Sequence, residues 1–163
     1  MSTLDGAVPA CSIARTLELV GQRWALLILR EAHLGVTRFA DFRDALGIAP
    51  NILASRLATL VEAGILEKRD YRVPGERSRP SYHLTAAGRD LKVVLAALQQ
   101  WGDVHVPRDD GPTAVRRNTR TGELARVAFV DPAGHEVPAD AVVFEPVAGG
   151  PADRPLPRLA RGA

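Results

Sequence analysis

Apolar positions recur at helical spacing in five stretches of the first 105 residues. These stretches predict helices over residues 12–20, 23–34, 39–46 and 50–63, and a fifth helix that Thr85 caps and that runs to about Val104. Glycine follows each of the first four stretches, at the position where helices commonly end. The second stretch, RWALLILREAHL, is apolar nearly all round, which predicts a central and buried helix.

The pattern becomes strand-like between the fourth and fifth helices. The run ILEKRDYRV, from Ile65 to Val73, and the run from Ser81 to Leu84 flank a loop of sequence PGERSRP. Before them, the third and fourth helices are joined by a tight turn within ALGIAPN. A short helix, a tight turn, a second helix and then a hairpin is the order of a winged helix-turn-helix.

Beyond Val106 the composition of the chain changes. Seven of the 12 prolines fall within residues 108–163. Three short strand-like runs remain, at residues 114–118, 124–130 and 141–144, with turn sequences between them. The predicted fold class is therefore mainly α with a small β-hairpin wing, a winged helix-turn-helix, plus a small β-rich C-terminal extension.

Charge and cysteine content exclude several classes of protein. The net charge is only +2, so affinity for nucleic acid has to come from a local basic surface. The single cysteine, Cys11, excludes an intrachain disulfide framework, and the four histidines have no metal-ligand spacing. We therefore expect no catalytic residues, no metal and no cofactor. The chain lacks a membrane-spanning apolar run and a signal-peptide pattern, so a cytoplasmic location without a membrane partner is expected.

A local basic surface is present in the predicted hairpin. Five basic residues and two acidic residues lie between Lys68 and Arg79, which gives this segment a charge of +3. Arg77 and Arg79 in its loop are candidates for contacts with a phosphate backbone or a minor groove. A charged but merely solvated loop is the alternative interpretation.

Several groups of residues fall into one wider pattern. They are Gly21–Trp24, Arg38-Phe39, Gly47-Ile48, the leucines at 53, 57 and 60, Gly64, Tyr82, Leu84-Thr85, Gly88 and Trp101-Gly102. Together they resemble the HxlR-type transcriptional regulators, which are dimeric winged helix-turn-helix proteins of bacteria and archaea. The resemblance covers the chain from Cys11 to Val106. It implies a homodimer that binds double-stranded DNA at an inverted-repeat operator, with a small-molecule effector as a further partner.

The resemblance and the composition together suggest how the chain is divided. We expect a flexible N-terminus over residues 1–10 and a winged helix-turn-helix domain for DNA binding and dimerisation over residues 11–107. A β-rich extension over residues 108–148 and a disordered tail over residues 149–163 follow. The extension has no counterpart in the short members of the family.

The fourth helix is the predicted recognition helix. With its leucines turned inward, the opposite face offers Asn51, Ser55, Arg56 and Thr59, whose amide, hydroxyl and guanidinium groups can bond base edges or phosphates. An ordinary solvated helix face is the alternative. Arg38, near the turn, is a further candidate for a phosphate contact, although it could equally pair with Asp41 or Asp44.

Two departures from the family pattern concern this same helix. Ala49 stands where a side-chain cap is usual, and Pro50 partly compensates because it fixes the first helical dihedral angle. Ala54 and Ala58 stand where the family often has polar side chains. Fewer groups are therefore left to read bases, and the operator cannot be deduced from the sequence.

Three residues are candidates for redox or effector sensing. Cys11 lies near a predicted helix start, where a reactive thiol would be chemically apt, and a similarly placed cysteine senses oxidants in some relatives. A small buried side chain is the alternative for Cys11. Trp24 and Trp101 are better interpreted as core residues, although in a dimer they could line a cavity between subunits.

The predicted function is that of a sequence-specific DNA-binding transcriptional regulator, a homodimeric repressor that responds to a small molecule or an electrophile. One alternative is a winged-helix protein-interaction module that has lost DNA contact, for which Ala54 and Ala58 are mild support. An enzyme of unrecognised type is the other alternative. The sequence contains no nucleophile elbow, no phosphate-binding loop, no dinucleotide fingerprint and no HExxH motif.

Overall fold

The computed structural model describes residues 11–72, 75, 77–145 and 147. Its elements, in chain order, are α1 (Ser12–Val20), α2 (Arg23–His33), α3 (Phe39–Leu46), α4 (Pro50–Glu62), β1 (Leu66–Tyr71), β2 (Arg79–Leu84), α5 (Ala86–His105), β3 (Phe129–Val130) and β4 (Glu136–Val137). The five predicted helices are confirmed, each to within about one residue at its ends. The predictions for residues 1–10 and 149–163 lie outside the described residues.

Helix α2 is the centre of the molecule, as its apolar sequence predicts. It contacts all four other helices and β2. Ile28 and Leu29 on α2 are fully buried, and so are Phe42 of α3 and the α4 leucines Leu53, Leu57 and Leu60. Glu31 is the buried exception, and its carboxylate accepts a hydrogen bond from Nε of Arg30 at 2.8 Å. Burial of this apolar stripe is what fixes α3 and α4 against the centre.

The turn between α3 and α4 is set by two backbone features. Gly47 adopts φ of +58°, a left-handed conformation that ends α3 and that a side chain would strain. Pro50 is the first residue of α4, and Ala49 at the N-cap makes no side-chain hydrogen bond. The start of α4 is therefore uncapped, as expected, and the proline geometry begins the helix.

The wing is an antiparallel hairpin extended by a third backbone segment. Strands β1 and β2 pair from Leu66 with Leu84 to Tyr71 with Arg79. Arg38 forms an isolated bridge with Ser81, and the backbone N–H of Tyr82 donates to the Thr37 carbonyl at 2.7 Å. Strand β2 begins at Arg79, two residues before the predicted start, so Arg79 belongs to the strand and not to the loop.

The wing and α5 meet at a close contact. Thr85 caps α5, as predicted, and accepts a hydrogen bond from the Gly88 N–H at 3.2 Å. A Cβ atom on Gly88 would lie 2.2 Å from the carbonyl oxygen of Ile65. Only glycine therefore allows α5 to pack so closely on the base of the wing.

The extension differs from its predicted strands. Strand β3 lies within the predicted run over residues 124–130, but its partner β4 lies in none of the predicted runs. The predicted run over residues 114–118 forms only a single bridge, between Arg117 and Leu124. The predicted strand over residues 141–144 is wrong, because residues 139–141 form a 3₁₀ turn and the next three residues lie in no strand. The β3–β4 hairpin is held by the turn from Asp131, whose Oδ1 accepts from the backbone N–H groups of Ala133 and His135 at 2.9 Å.

Candidate nucleic-acid interface

Helix α4 presents a polar face on the side away from the core. Its leucines are fully buried, whereas Asn51 and Ser55, one turn apart in its N-terminal half, are exposed. Exposed Ala54 lies beside them. An amide and a hydroxyl in this position can form hydrogen bonds with base edges, since the N-terminal half of a recognition helix enters the major groove.

The other two predicted residues of α4 lie on its flank. Thr59 is half-buried, and its hydroxyl donates to the Ser55 carbonyl at 3.1 Å. Arg56 is also half-buried and lines a small cleft with Glu18 of α1 and with Gln22, the residue before α2. Its Nε atom is buried and has no hydrogen-bond partner among the described residues. The structure thus separates Asn51 and Ser55, which face outward, from Arg56 and Thr59, which lie nearer the protein body.

The wing carries the basic residues that the sequence pattern predicts. Lys68, Arg69, Arg72, Arg77 and Arg79 are all exposed. Arg69 is neutralised locally, because its Nε donates to the Glu67 carboxylate at 2.9 Å. Contacts of Arg77 and Arg79 with the phosphate backbone of DNA stay a prediction.

The two arginines near the turn have different partners. Arg43 forms an ion pair with Asp44, with 2.8 Å between Nη2 and Oδ1. The guanidinium carbon of Arg38 lies 4.7 Å from the centre of the Tyr71 ring in β1. Arg38 forms no ion pair with Asp41 or Asp44 in the described part of the chain. The phosphate contact is therefore the interpretation that stays open. The sequence does not predict Tyr71 as a site residue, because its contact with Arg38 forms across β2 and only in the folded sheet.

The residues considered for sensing lie apart from this surface. Cys11 is exposed and occupies the N-cap position of α1. Trp24 is half-buried against the core, with the Arg23 guanidinium 4.9 Å from its ring. Trp101 is 60% exposed, so its interpretation as a core residue is wrong within a single subunit. Its ring lies against that of His105, with 4.9 Å between the centroids and the two planes tilted by 35°.

Neither a metal site nor a membrane span emerges from the described residues. No group of three or more His, Cys, Asp and Glu side chains there is placed to hold a metal ion. No helix in that part of the chain is both long and apolar enough to cross a membrane.

Comparison with known proteins identifies the family of this chain. Residues 19–110 match the HxlR-like helix-turn-helix family, a range that begins in α1 and runs just past α5. The chain belongs to this family. Among curated proteins it is similar to the HTH-type transcriptional regulator Rv3095 of Mycobacterium tuberculosis, with 45% identity over 85% of this chain and 87% of that protein. It is thus a DNA-binding transcriptional regulator of the HxlR-like family.

The solved structures similar to this HxlR-like regulator differ in how much of the chain they cover. PA1607, assigned as a transcription factor, superposes with a TM-score of 0.72 at 33% identity and covers 83% of this chain and 94% of its own. PA1374 from Pseudomonas aeruginosa gives 0.61 at 38% identity over 89% and 96%. The reduced redox regulator HypR gives 0.51 at 26% identity but covers only 56% of this chain. The first two alignments therefore extend beyond the five helices and the wing into the extension.

Proposed function

We propose that this regulator acts as a homodimeric repressor that binds an inverted-repeat operator. Asn51 and Ser55 would read bases in the major groove, and the wing arginines would contact the flanking backbone. The protein would act where the DNA is, in the cytoplasm. The observation that carries the dimer is the apolar surface left uncovered on α1 and α5.

This uncovered surface follows one face of each helix. On α5, Leu91 and Leu95 pack against the core, whereas Val94, Leu98 and Trp101 on the adjoining face are exposed. On α1, Ile13 and Leu17 are also exposed. Contiguous apolar surface of this kind marks interaction sites. The occupant we propose is a second copy, because an inverted-repeat operator requires a two-fold dimer whose two α4 helices would lie about 34 Å apart, which is one turn of DNA.

Light scattering at micromolar concentration tests the dimer. Leu98→Asp should shift the mass from two chains to one and weaken operator binding, because a charge would then be buried at the interface. The matched control is Leu34→Asp, which changes a leucine that is 74% exposed at the end of α2. A wild-type monomer, or equal loss of mass in both variants, would contradict the proposed dimer.

Selection of duplexes from a random pool tests the DNA-binding surface. We expect an inverted repeat among the recovered sequences. Substituting both Arg77 and Arg79 by Ala should weaken specific and non-specific duplexes alike and lower the salt slope by about one to two units per subunit. Replacing Arg120 and Arg126 of the extension removes the same charge and serves as the control. Recovery of no duplex at all would favour the protein-interaction module. Exposed Ala54 supports that alternative, because it stands where the family often has a polar side chain.

Release of DNA by an electrophile is a separate part of the proposal. Its support is the exposed thiol of Cys11 at the start of α1 and the likeness to HypR, which is named as a redox regulator. Addition of the thiolate to a ring carbon of a quinone would form one carbon–sulfur bond and open the ring carbon–carbon double bond, whose electron pair would shift to the quinone oxygen, and solvent would protonate that oxygen. Cys11→Ser should bind DNA normally and ignore the quinone. If the fully modified wild-type protein keeps its operator, the signal is a non-covalent ligand or none.

A further inference from the structure

The stacked pair of Arg38 and Tyr71 joins two parts of the predicted interface. Arg38 is the residue immediately before α3, and Tyr71 is the last residue of β1. With 4.7 Å between the guanidinium carbon and the ring centre, the pair is within the range of a cation–π contact. Arg38 is therefore held against the wing by an aromatic face.

Backbone pairing fixes the geometry of both partners. Ser81 pairs with Arg69 in β1 and also forms the isolated bridge with Arg38. The hydrogen bond from the Tyr82 N–H to the Thr37 carbonyl anchors the residue just before Arg38. The Arg38 segment and β1 thus flank β2 on its two sides, and the guanidinium reaches the Tyr71 ring across β2 in one small sheet.

The donors of Arg38 are open to an anion. Its side chain is exposed, and no described residue accepts a hydrogen bond from it or forms an ion pair with it. Asp44, one of the two acids that the sequence offers as a partner for Arg38, is paired with Arg43 instead. A guanidinium that stacks through its face keeps its N–H groups at its edge, where they can form two parallel hydrogen bonds with a phosphate.

The position also suits a DNA backbone. In helix-turn-helix proteins the helix that precedes the recognition helix crosses the backbone. Here that helix is α3, and Arg38 stands at its start, on the side that joins the wing. A phosphate bound at Arg38 would therefore lie between the groove occupied by α4 and the segment contacted by the wing.

We propose that Arg38 binds one backbone phosphate of the DNA and that Tyr71 is its positioning residue. The inference rests on the proposed mode of DNA binding and adds a specific role for an uncharged side chain. Tyr71 holds the guanidinium in its binding orientation before DNA arrives, so less side-chain entropy is lost on binding. A cation–π contact at an exposed site corresponds to about two- to five-fold in affinity per subunit.

Fluorescence anisotropy with a labelled random-sequence duplex tests this, because a phosphate contact needs no particular operator. The full-length variants are Tyr71→Phe, Tyr71→Leu, Arg38→Lys, Arg38→Ala and the Arg38→Ala/Tyr71→Leu pair. Tyr71→Phe keeps the ring and should bind like wild type. Tyr71→Leu should bind about two- to five-fold more weakly per subunit, and Arg38→Lys should also lose affinity although it keeps its charge.

The double variant separates positioning from direct contact. If Tyr71 acts through Arg38, then Tyr71→Leu should cost nothing further once Arg38 is alanine. Arg38→Ala should also lower the salt slope by about 0.9 per subunit. Phe144→Leu, at an exposed aromatic of the extension, is the matched control and should bind like wild type. Melting temperatures of all variants check that each one folds.

Three results would overturn the inference while leaving DNA binding itself intact. They are wild-type affinity in Tyr71→Leu, equal losses in Tyr71→Phe and Tyr71→Leu, and a full loss from Tyr71→Leu in the Arg38→Ala background. The wild-type protein in the same titration reports on the proposed function. If it binds no duplex, both the function and this contact are wrong.

Discussion

The five-helix body and the C-terminal extension are built on different principles. Every buried residue of the described chain except Gly88 lies between Val20 and Tyr82, and none lies beyond α5. The body thus buries a continuous apolar core, which is the main force that stabilises folded chains. The extension instead exposes large apolar side chains, and its order comes from turns and local hydrogen bonds.

The two regions are linked through polar side chains on α5. Gln100 accepts a hydrogen bond from the Val127 N–H through Oε1 and donates to the Val127 carbonyl through Nε2, both at 2.9 Å. Gln99 donates to the Ala114 carbonyl at 2.7 Å. The comparison teaches that the extension is attached to the body by a few polar contacts and not by a shared core. We expect stability to depend on the body and local order to depend on the link.

Substitution of one phenylalanine in each region gives the largest contrast. Phe42 is fully buried, so Phe42→Ala should lower the free energy of unfolding by about 3–5 kcal/mol. Phe144 is 78% exposed, so Phe144→Ala should cost less than about 0.5 kcal/mol. Urea unfolding measures both. A cost above about 1 kcal/mol for Phe144→Ala would break the contrast and show that the extension is covered in solution.

Two glycines of α5 sharpen the same contrast on a single helix. In Gly88→Ala the new Cβ would meet the Ile65 carbonyl, and we expect a loss of about 1–3 kcal/mol from overpacking. At Gly102, near the extension, a Cβ would meet nothing within 4 Å. Gly102→Ala should therefore be neutral or stabilise by up to about 1 kcal/mol through helix propensity. Thermal unfolding compares them, and equal losses would mean that α5 has no closer packing at the wing.

The same difference explains how much of the fold could be predicted from sequence. In the body, burial imposes a helical period, so the sequence predicts that Leu53, Leu57 and Leu60 are buried, and the structure confirms it. In the extension no face is buried, and the apolar run over residues 141–144 therefore carried no reliable strand signal. The β3–β4 hairpin has only two residues in each strand, which is too few for an alternation of apolar and polar residues to appear in the sequence.

The candidate site shows a related limit. Asn51 and Ser55 follow from the helical period alone, because they lie opposite the leucines. The inward displacement of Arg56 depends on where α1 packs, and the stacking of Arg38 on Tyr71 depends on a contact across the sheet. Neither contact leaves a local pattern in the sequence.

Removal of the glutamine link should loosen the extension without unfolding the body. Gln100→Ala loses both hydrogen bonds with Val127, so amide exchange around Val127 should rise roughly ten-fold. The global free energy of unfolding should change by less than about 1 kcal/mol. Gln99→Ala is the control and should have its effect near Ala114. Exchange that rises equally throughout the body would contradict a merely local link.

The smallest effect concerns pH and lies within the body. Burial lowers the pKa of His33 below its usual 6.5, against a hydrogen bond with the Gly88 carbonyl at 3.2 Å that raises it, and nearby Lys92 lowers it further. Between the lowered folded pKa and 6.5 the unfolded chain therefore binds a proton that the folded chain does not. The stabilising contribution is complete above pH 6.5 and is lost as the pH falls through that value toward the folded pKa. Melting temperatures from pH 7.5 to 5 should fall more steeply in the wild type than in His33→Gln, which cannot titrate there. Parallel curves would show that the contact between α2 and α5 at His33 does not depend on its protonation.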